Sequence, residues 1–202
     1  MIIKSFIEPP IENNNYLIID EESKEAALID CSFSDENILL ELKKSGAELK
    51  YILLTHGHFD HIAGLPFASE AKVLMHEADM QWVSEVNTYL PMIGMPSMEV
   101  PKIDAFINDG DIIKLGNLEI KAIHTPGHTQ GGVCFLVENN LFSGDTIFRE
   151  SVGRCDLPGG NFDQIVDSIE SRIFTLPEET VIYPGHGKTT TVGWEKVHNS
   201  YF

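Results

Sequence analysis

The chain has 202 residues, of which 43% are hydrophobic and 22% are charged, a balance typical of a globular protein with a sizeable core. Its formal net charge of −17, from 14 basic and 31 acidic residues, argues against binding of nucleic acid, which needs clustered lysine and arginine. Three cysteines without a C-x-x-C spacing argue against a disulfide framework, and no opening apolar run has the length of an export signal or membrane span, so we expect a cytoplasmic single domain over residues 1–202.

In the first half of the chain, short apolar runs alternate with polar turns, and this pattern predicts several strands before and after one amphipathic helix. Ser34 is a favourable N-cap residue for that helix, which we place over residues 35–44. Strands are predicted near residues 2–7, 15–20, 26–30, 50–54 and 72–75, and further helices over residues 61–69 and 77–85.

The second half of the chain repeats the order of strands followed by a helix. Strands are predicted near residues 111–115, 118–123, 133–138, 141–143 and 180–183, and a helix near residues 162–174. This order favours two sheets packed face to face with helices outside, although the pattern alone does not distinguish that arrangement from other α/β layers.

Three histidines and an aspartate lie within six residues, directly after the apolar run of residues 51–54. The residues are His56, His58, Asp60 and His61. Imidazole nitrogen and carboxylate oxygen suit zinc and iron, and the bulky residues before them predict a buried strand that ends at the motif. Because alternate residues of an extended backbone point the same way, His56 and His58 can bind one ion, while Asp60 and His61 can face a second.

Three more ligand-type residues occur later in the chain, each just past the end of a predicted strand. They are His128, Asp145 and His186, and a glycine lies next to each of them. Glycine permits the tight turns and close backbone approaches that a compact site requires. The repetition favours one metal site built from four segments of the chain.

With these seven residues the chain resembles the metallo-β-lactamase superfamily, and within it the glyoxalase II (hydroxyacylglutathione hydrolase) branch in its short single-domain form. The resemblance implies an αββα sandwich, in which two mixed sheets lie face to face with helices outside and metals at one edge. It also implies two coordination shells, in which His56, His58 and His128 bind the first ion, Asp60, His61 and His186 bind the second, and Asp145 bridges them.

The resemblance implies a hydrolase with two divalent ions, for which we expect zinc, with iron or manganese as alternatives because mixed His/Asp sites accept all three. A hydroxide that bridges the ions would attack a thioester carbonyl, and Asp60 would both bind metal and orient that hydroxide. No serine or cysteine nucleophile is then needed, and Cys31, Cys134 and Cys155 lack the sequence context of one.

The expected substrate is S-D-lactoylglutathione or a related hydroxyacylglutathione, with another ester or lactone as an alternative. Arg154 falls where full-length glyoxalase II enzymes carry a basic residue for the glutathione carboxylate, although an ion pair with Asp156 is equally consistent with the sequence. Lys188 falls where those enzymes carry a tyrosine for glutathione. The chain ends 16 residues after His186, without the helical C-terminal region of the full-length enzymes, and this leaves glutathione recognition open.

Other readings stay open at this point. A mononuclear iron persulfide dioxygenase, a related branch, would use His56, His128 and Asp145 as a facial triad, and a metal-binding sensor would show no turnover. An aspartate at position 145 argues against antibiotic-hydrolysing lactamases, which lack that bridging residue. Residues 82–101 are read either as a lid or substrate wall or as a loop packed on the sandwich. We expect a small-molecule partner, no nucleic acid or membrane, and a monomer or homodimer.

Overall fold

The computed structural model describes residues 1–8, 11–32, 36–65 and 70–202. The predicted N-cap residue Ser34 and the last part of the helix predicted over residues 61–69 lie outside these ranges. Every structural statement below concerns the described residues.

The first half of the chain forms a six-stranded sheet in sequence order. Strands β1 to β3 pair antiparallel, and β3 to β6 pair parallel. All seven residues of β2 are buried, as expected for a strand covered on both faces. The six strands are β1 Ile2–Glu8, β2 Asn13–Ile19, β3 Glu25–Ile29, β4 Glu48–Leu53, β5 Lys72–Met75 and β6 Ala105–Phe106.

The second half forms another six-stranded sheet, with the strand order β14-β13-β10-β9-β8-β7. Its strands are β7 Ile112–Leu115, β8 Leu118–His124, β9 Val133–Val137, β10 Asn140–Gly144, β13 Val181–Pro184 and β14 Thr190–Thr191. Only β10 and β13 pair parallel; the other pairs are antiparallel. A separate hairpin of β11 Ile147–Phe148 and β12 Ser151–Val152 follows β10.

Short helices connect and cover the strands. They are α1 Glu36–Ser45, α2 Phe59–Ile62, α3 Met80–Ser84, α4 Val86–Tyr89, α5 Phe162–Ser168 and α6 Val192–His198, with 3₁₀ turns at Glu77–Asp79 and Leu90–Ile93. A π-helical turn, Ile169–Ile173, extends α5. No described helix is both long and apolar enough to cross a membrane.

Alternation along β2 shows how the layers form. Tyr16 and Ile18 pack between the sheets against Phe135 and Phe142 of the second sheet, whereas Leu17 and its like-facing neighbours pack under helices α1, α3 and α4. Alternate residues of a strand point to opposite faces, so one strand supplies both layers. A third cluster lies between the second sheet and helices α5 and α6. These three apolar layers confirm the predicted αββα sandwich.

The predicted strands agree with the structure within about two residues at most ends, and β5 agrees at both ends. The helix predicted over residues 77–85 instead starts as a 3₁₀ turn, Glu77–Asp79, before α3. His76 caps the N-terminus of that turn, because its Nδ1 atom accepts a hydrogen bond from Ala78 N at 3.2 Å. The two-residue strands and helix α6 were not predicted, because runs this short or this mixed in polarity carry little periodic signal.

Candidate metal centre

The seven sequence-predicted side chains meet where strands of both sheets end. His56, His58, Asp60 and His61 follow β4 of the first sheet, and His128, Asp145 and His186 follow β8, β10 and β13 of the second sheet. The pairing of β10 with β13 shifts register between Phe142 and Gly144, directly before Asp145. Such an irregularity changes the direction of the chain and of the side chain that follows it.

The ligand-type atoms form three overlapping groups, each with all its atoms within 4.8 Å of one another. The groups are His56/His58/His128, His56/His61/Asp145 and Asp60/His61/His186. Asp145 joins them: its Oδ1 lies 3.5 Å from His61 Nε2, and its Oδ2 lies 3.6 Å from both His128 Nε2 and His186 Nε2. The structure therefore brings together the whole predicted set.

Several buried polar atoms of this cluster have no hydrogen-bond partner among the described residues. They are His56 Nε2, His58 Nε2 and Asp145 Oδ1. A buried polar atom without a partner is unfavourable, and native proteins rarely leave one unless an ion, water or ligand meets it. Nitrogen and carboxylate donors at this spacing fit a divalent transition metal, so the residues present match the chemistry of such an ion.

Burial sets the protonation of the cluster. It lowers the pKa of His56 well below its ordinary value, and burial together with the neighbouring His128 lowers the pKa of His58 to about 3. Burial by itself would raise the pKa of Asp145, but the adjacent His61 and the other histidines of the cluster together have a larger effect, and the net shift of the pKa is downward. The same two opposing effects give Asp60 a lowered pKa. Neutral imidazole and ionised carboxylate are the forms that bind metal, and these shifts favour them for His56, His58 and the two aspartates.

Asp30 orients His61 and was missed in the sequence. One of its oxygens accepts a hydrogen bond from His61 Nδ1 at 2.8 Å, and the other accepts one from Thr55 N at 2.8 Å. Burial opposes protonation of His61, but the charges of Asp30 and of the neighbouring carboxylates raise its pKa well above the ordinary value. A signal was available, because Asp30 directly follows the end of β3 as the predicted residues follow theirs.

Replacing Asp30 with asparagine is expected to weaken binding at the Asp60/His61/His186 group by roughly 10–100-fold, as loss of a carboxylate partner of a metal-binding histidine does. The amide has nearly the same shape but presents only one acceptor oxygen for three donors, Thr55 N, Thr55 Oγ1 and His61 Nδ1. Titration of the metal-free protein with zinc measures the change. The control Asp167→Asn, at an exposed position of α5, should bind as the parent chain does.

Asp79 links the two loops that carry His56, His58 and His128. Its Oδ2 accepts hydrogen bonds from Gly57 N at 2.9 Å and Thr129 Oγ1 at 2.8 Å, and its Oδ1 accepts one from Gly131 N at 2.6 Å. The glycines are required by space, since a Cβ on Gly131 would lie 2.6 Å from the Asp79 carboxyl carbon. Burial raises the pKa of Asp79, although the hydrogen bonds from these three donors act in the opposite direction.

Asn14, the middle residue of a run of three asparagines at the start of β2, holds the loop that carries His186. Asn14 Nδ2 donates to the carbonyl oxygens of Pro184 at 3.0 Å and Gly187 at 2.9 Å. Asn13 Nδ2 lies 2.9 Å from His61 Nε2. Gly185 allows this close packing, because a Cβ there would lie 2.3 Å from Asp145 Oδ1. The first sheet thus positions a ligand-type residue of the second.

A cavity of about 690 Å³ opens beside the cluster and reaches Asp60, His128, Asp145 and His186. One wall comes from residues 82–93, the first part of the segment that we read from sequence as a substrate wall or a packed loop. The later residues of that segment, including Met95 and Met98, pack against the outer core of the first sheet. The first part of the segment therefore forms a wall of the cavity, and the later part is a loop packed on the sandwich.

Arg154 and Lys188 occupy different positions relative to this cavity. Arg154 lines it, but its Nε and Nη2 atoms donate to the two carboxylate oxygens of Asp156 at 2.7 and 2.8 Å. Lys188 is absent from the described residues that line the cavity. The backbone oxygen of Arg154 also accepts a hydrogen bond from His128 Nδ1 at 2.7 Å.

Replacing Arg154 with alanine is expected to change the unfolding temperature by no more than about 2 °C, because exposed ion pairs contribute little to stability. Metal content should also be retained, since the contact with His128 uses the backbone carbonyl. Thermal unfolding and metal analysis of the same sample measure both quantities. A large fall in either would show that the Arg154–Asp156 pair supports the fold or the cluster.

The sandwich and its cluster define a class of protein, the metallo-hydrolases built on two face-to-face sheets. The family model described as the metallo-β-lactamase superfamily matches residues 9–186. The chain belongs to the metallo-β-lactamase superfamily. It is 32% identical over 202 residues to "Hydroxyacylglutathione hydrolase GloC" of Haemophilus influenzae, an alignment that covers 94% of this chain and 92% of the relative.

Two solved structures extend this similarity. The crystal structure of BLEG-1 B3 metallo-β-lactamase has 32% identity and a TM-score of 0.90, with 99% of each chain covered. TTHA1623 in a di-iron-bound form has 31% identity and a TM-score of 0.87, with 98% of this chain and 100% of that chain covered. These similarities agree with the two-sheet fold described above.

Proposed function

We propose that this chain, as one domain over residues 1–202, is a metal-dependent hydrolase that cleaves a thioester. The observation that carries the proposal is the convergence of seven ligand-type side chains around buried atoms without partners. In this proposal His56, His58 and His128 hold one ion, Asp60, His61 and His186 hold a second, and Asp145 contacts both. Zinc is the first metal to test, and the similarity to a di-iron protein makes iron the second, ahead of manganese.

When bound, two divalent ions supply Lewis acidity toward the carbonyl and lower the pKa of water toward about 7. The side chains of the protein position the attacking water. Asp60 Oδ2 lies 3.4 Å from His186 Nε2, and the residue also borders the cavity, so its carboxylate can accept a hydrogen bond from the attacking water and fix its direction. The oxygen of water bonds to the carbonyl carbon, the carbon–sulfur bond breaks, and the products are a carboxylic acid and a thiol.

The similarity to a protein named hydroxyacylglutathione hydrolase makes S-D-lactoylglutathione the first substrate to test. For this substrate, Arg154 would have to leave Asp156 in order to meet a glutathione carboxylate. Lys188 is the second candidate for that contact. A rise in KM with unchanged kcat in Arg154→Ala would support the first of these roles.

The experiment measures S-D-lactoylglutathione cleavage by purified protein, with metal content determined on the same sample. We expect about two metals per chain. We also expect a chelator to abolish turnover, because the ions polarise the carbonyl group and lower the pKa of the attacking water. Cleavage that persists after complete removal of metal would refute the proposal.

A chromogenic β-lactam in the same assay tests the prediction that an aspartate at position 145 disfavours lactamase activity.

A second candidate is the mononuclear iron persulfide dioxygenase considered from sequence. The observation in its favour is that the triad expected for it, His56, His128 and Asp145, also lies within the cluster. The complete second group, Asp60, His61 and His186, favours the hydrolase, since a mononuclear site has no use for it. Oxygen consumption with glutathione persulfide, together with one iron per chain, would select the dioxygenase.

A further inference from the structure

The walls of the cavity beside the metal centre are apolar on both sides. Trp82 lies directly over the cluster, with its ring 4.4 Å from the ring of His58 at an angle of 82°, and Tyr89 packs against Trp82 at 4.9 Å. Phe148 and Leu157 also line the cavity. A substrate group that extends from the cluster into this space therefore meets mainly apolar side chains among the described residues.

The mouth of the cavity carries apolar side chains that the core does not use. Met92 and Ile93 line the cavity, and their exposed fractions are 78% and 56%. They lie in the 3₁₀ turn Leu90–Ile93, which ends at Gly94 in a left-handed conformation with φ of 76°. Exposed apolar surface that lines a cavity commonly marks a ligand site, and methionine adapts to chains of different shape.

The charges of the cavity do not match an anionic substrate. Among the described residues that line it, Arg154 is the only lysine or arginine, and its Nε and Nη2 atoms donate to Asp156. The chain as a whole carries a net charge of −17. Glutathione carries two carboxylates, and away from the proposed metal ions the described lining offers them no cation other than Arg154, so their transfer from water into this space is unfavourable.

We infer that the physiological substrate has an uncharged, apolar acyl group of about four to eight carbons, aliphatic or aromatic, which lies between Trp82 and Phe148. The inference rests on the proposed thioester hydrolysis and narrows its substrate class. Hydrolysis of the thioester by water releases the acyl group as a carboxylate and the sulfur group as a thiol. The lactoyl group, short and hydroxylated, would leave most of the cavity unused.

The test compares thioesters that differ only in the acyl chain, all on the neutral carrier N-acetylcysteamine, with the metal-loaded protein. We expect kcat/KM to rise at least about tenfold from acetyl to hexanoyl, since each methylene removed from water contributes roughly a fourfold factor. We also expect the hexanoyl thioester to exceed S-D-lactoylglutathione. A flat dependence on chain length, or a preference for S-D-lactoylglutathione over every neutral thioester, would overturn the inference.

Two substitutions at exposed positions test whether the preference for longer acyl chains depends on this cavity, and neither is expected to destabilise the fold. Met92→Ser should lower the ratio of hexanoyl to acetyl kcat/KM by about threefold or more, because it removes apolar surface at the mouth. Val197→Ser is the matched control, since Val197 is 75% exposed but lies on helix α6, outside the lining of the cavity. An equal change in both variants would count against the inference.

Failure of the proposed reaction gives a different result. If no thioester is cleaved by protein with full metal content, the hydrolase proposal is wrong, and calorimetric titration with hexanoate and acetate then tests the cavity alone. Tighter binding of hexanoate would preserve the assignment of an apolar ligand. Equal binding of the two carboxylates would overturn that assignment as well.

Discussion

Replacing Asp145 with alanine is expected to lower kcat/KM by a thousandfold or more, since several kcal/mol of transition-state stabilisation depend on a complete pair of ions, and about 4 kcal/mol corresponds to that factor. Carboxylate oxygens of Asp145 lie within 3.6 Å of ring nitrogens of His61, His128 and His186. Its loss removes the shared ligand of the proposed pair, so metal content should fall from about two ions per chain toward one or none. Steady-state kinetics and metal analysis of one preparation measure both effects.

Asp167→Ala is the control for this prediction, because Asp167 is an exposed aspartate on α5 and lies outside the cluster. The control should retain metal content and turnover. Full activity in Asp145→Ala with two metals bound would remove Asp145 from the mechanism. Loss of activity with both metals retained would instead assign it a role in substrate orientation.

Replacing Asp79 with alanine is expected to lower the free energy of unfolding by about 3–5 kcal/mol, the range for a broken buried network. The substitution leaves Gly57 N, Gly131 N and Thr129 Oγ1 buried without their acceptor. Urea unfolding of the metal-free protein measures this change without a contribution from bound ions. Metal affinity should also fall, because the two loops that carry His56, His58 and His128 lose their connection.

Asp104→Ala provides the comparison for Asp79, since Asp104 also accepts a backbone hydrogen bond, from Val73 N at 3.0 Å, but is exposed. Water can replace an exposed acceptor, so this variant should lose less than about 1 kcal/mol. Similar losses in the two variants would show that the buried links of Asp79 add little to the fold.

The candidate ligands could be predicted from sequence because each of them follows a strand, and strands are recognisable from short apolar runs. His56 to His61 form one local motif, and the same rule finds His128, Asp145 and His186. Strand ends converge at one edge of a sandwich, so the side chains that follow them converge as well. The four-layer fold was predicted largely through the family resemblance, since alternation alone fits several α/β architectures.

The supporting residues could not be predicted in this way, because their roles depend on contacts between distant segments. Asp79 lies in a 3₁₀ turn with no motif, and its partners Gly57 and Gly131 are separated from it by 22 and 52 residues. The apolar cavity is a property of several elements together. The ion pair of Arg154 with Asp156 was one of two readings of the sequence, and the structure contains it, while the substrate-binding role of Arg154 stays a prediction.

Neither sheet alone provides a full set of ligands. In each of the two proposed shells the first sheet contributes two side chains, and the second contributes one histidine, His128 or His186, together with the shared Asp145. In this proposal an ion is released only after its bonds to side chains of both sheets break. We therefore expect that a mutation deep in the core shared by the two sheets can alter the rate of metal exchange without touching the centre.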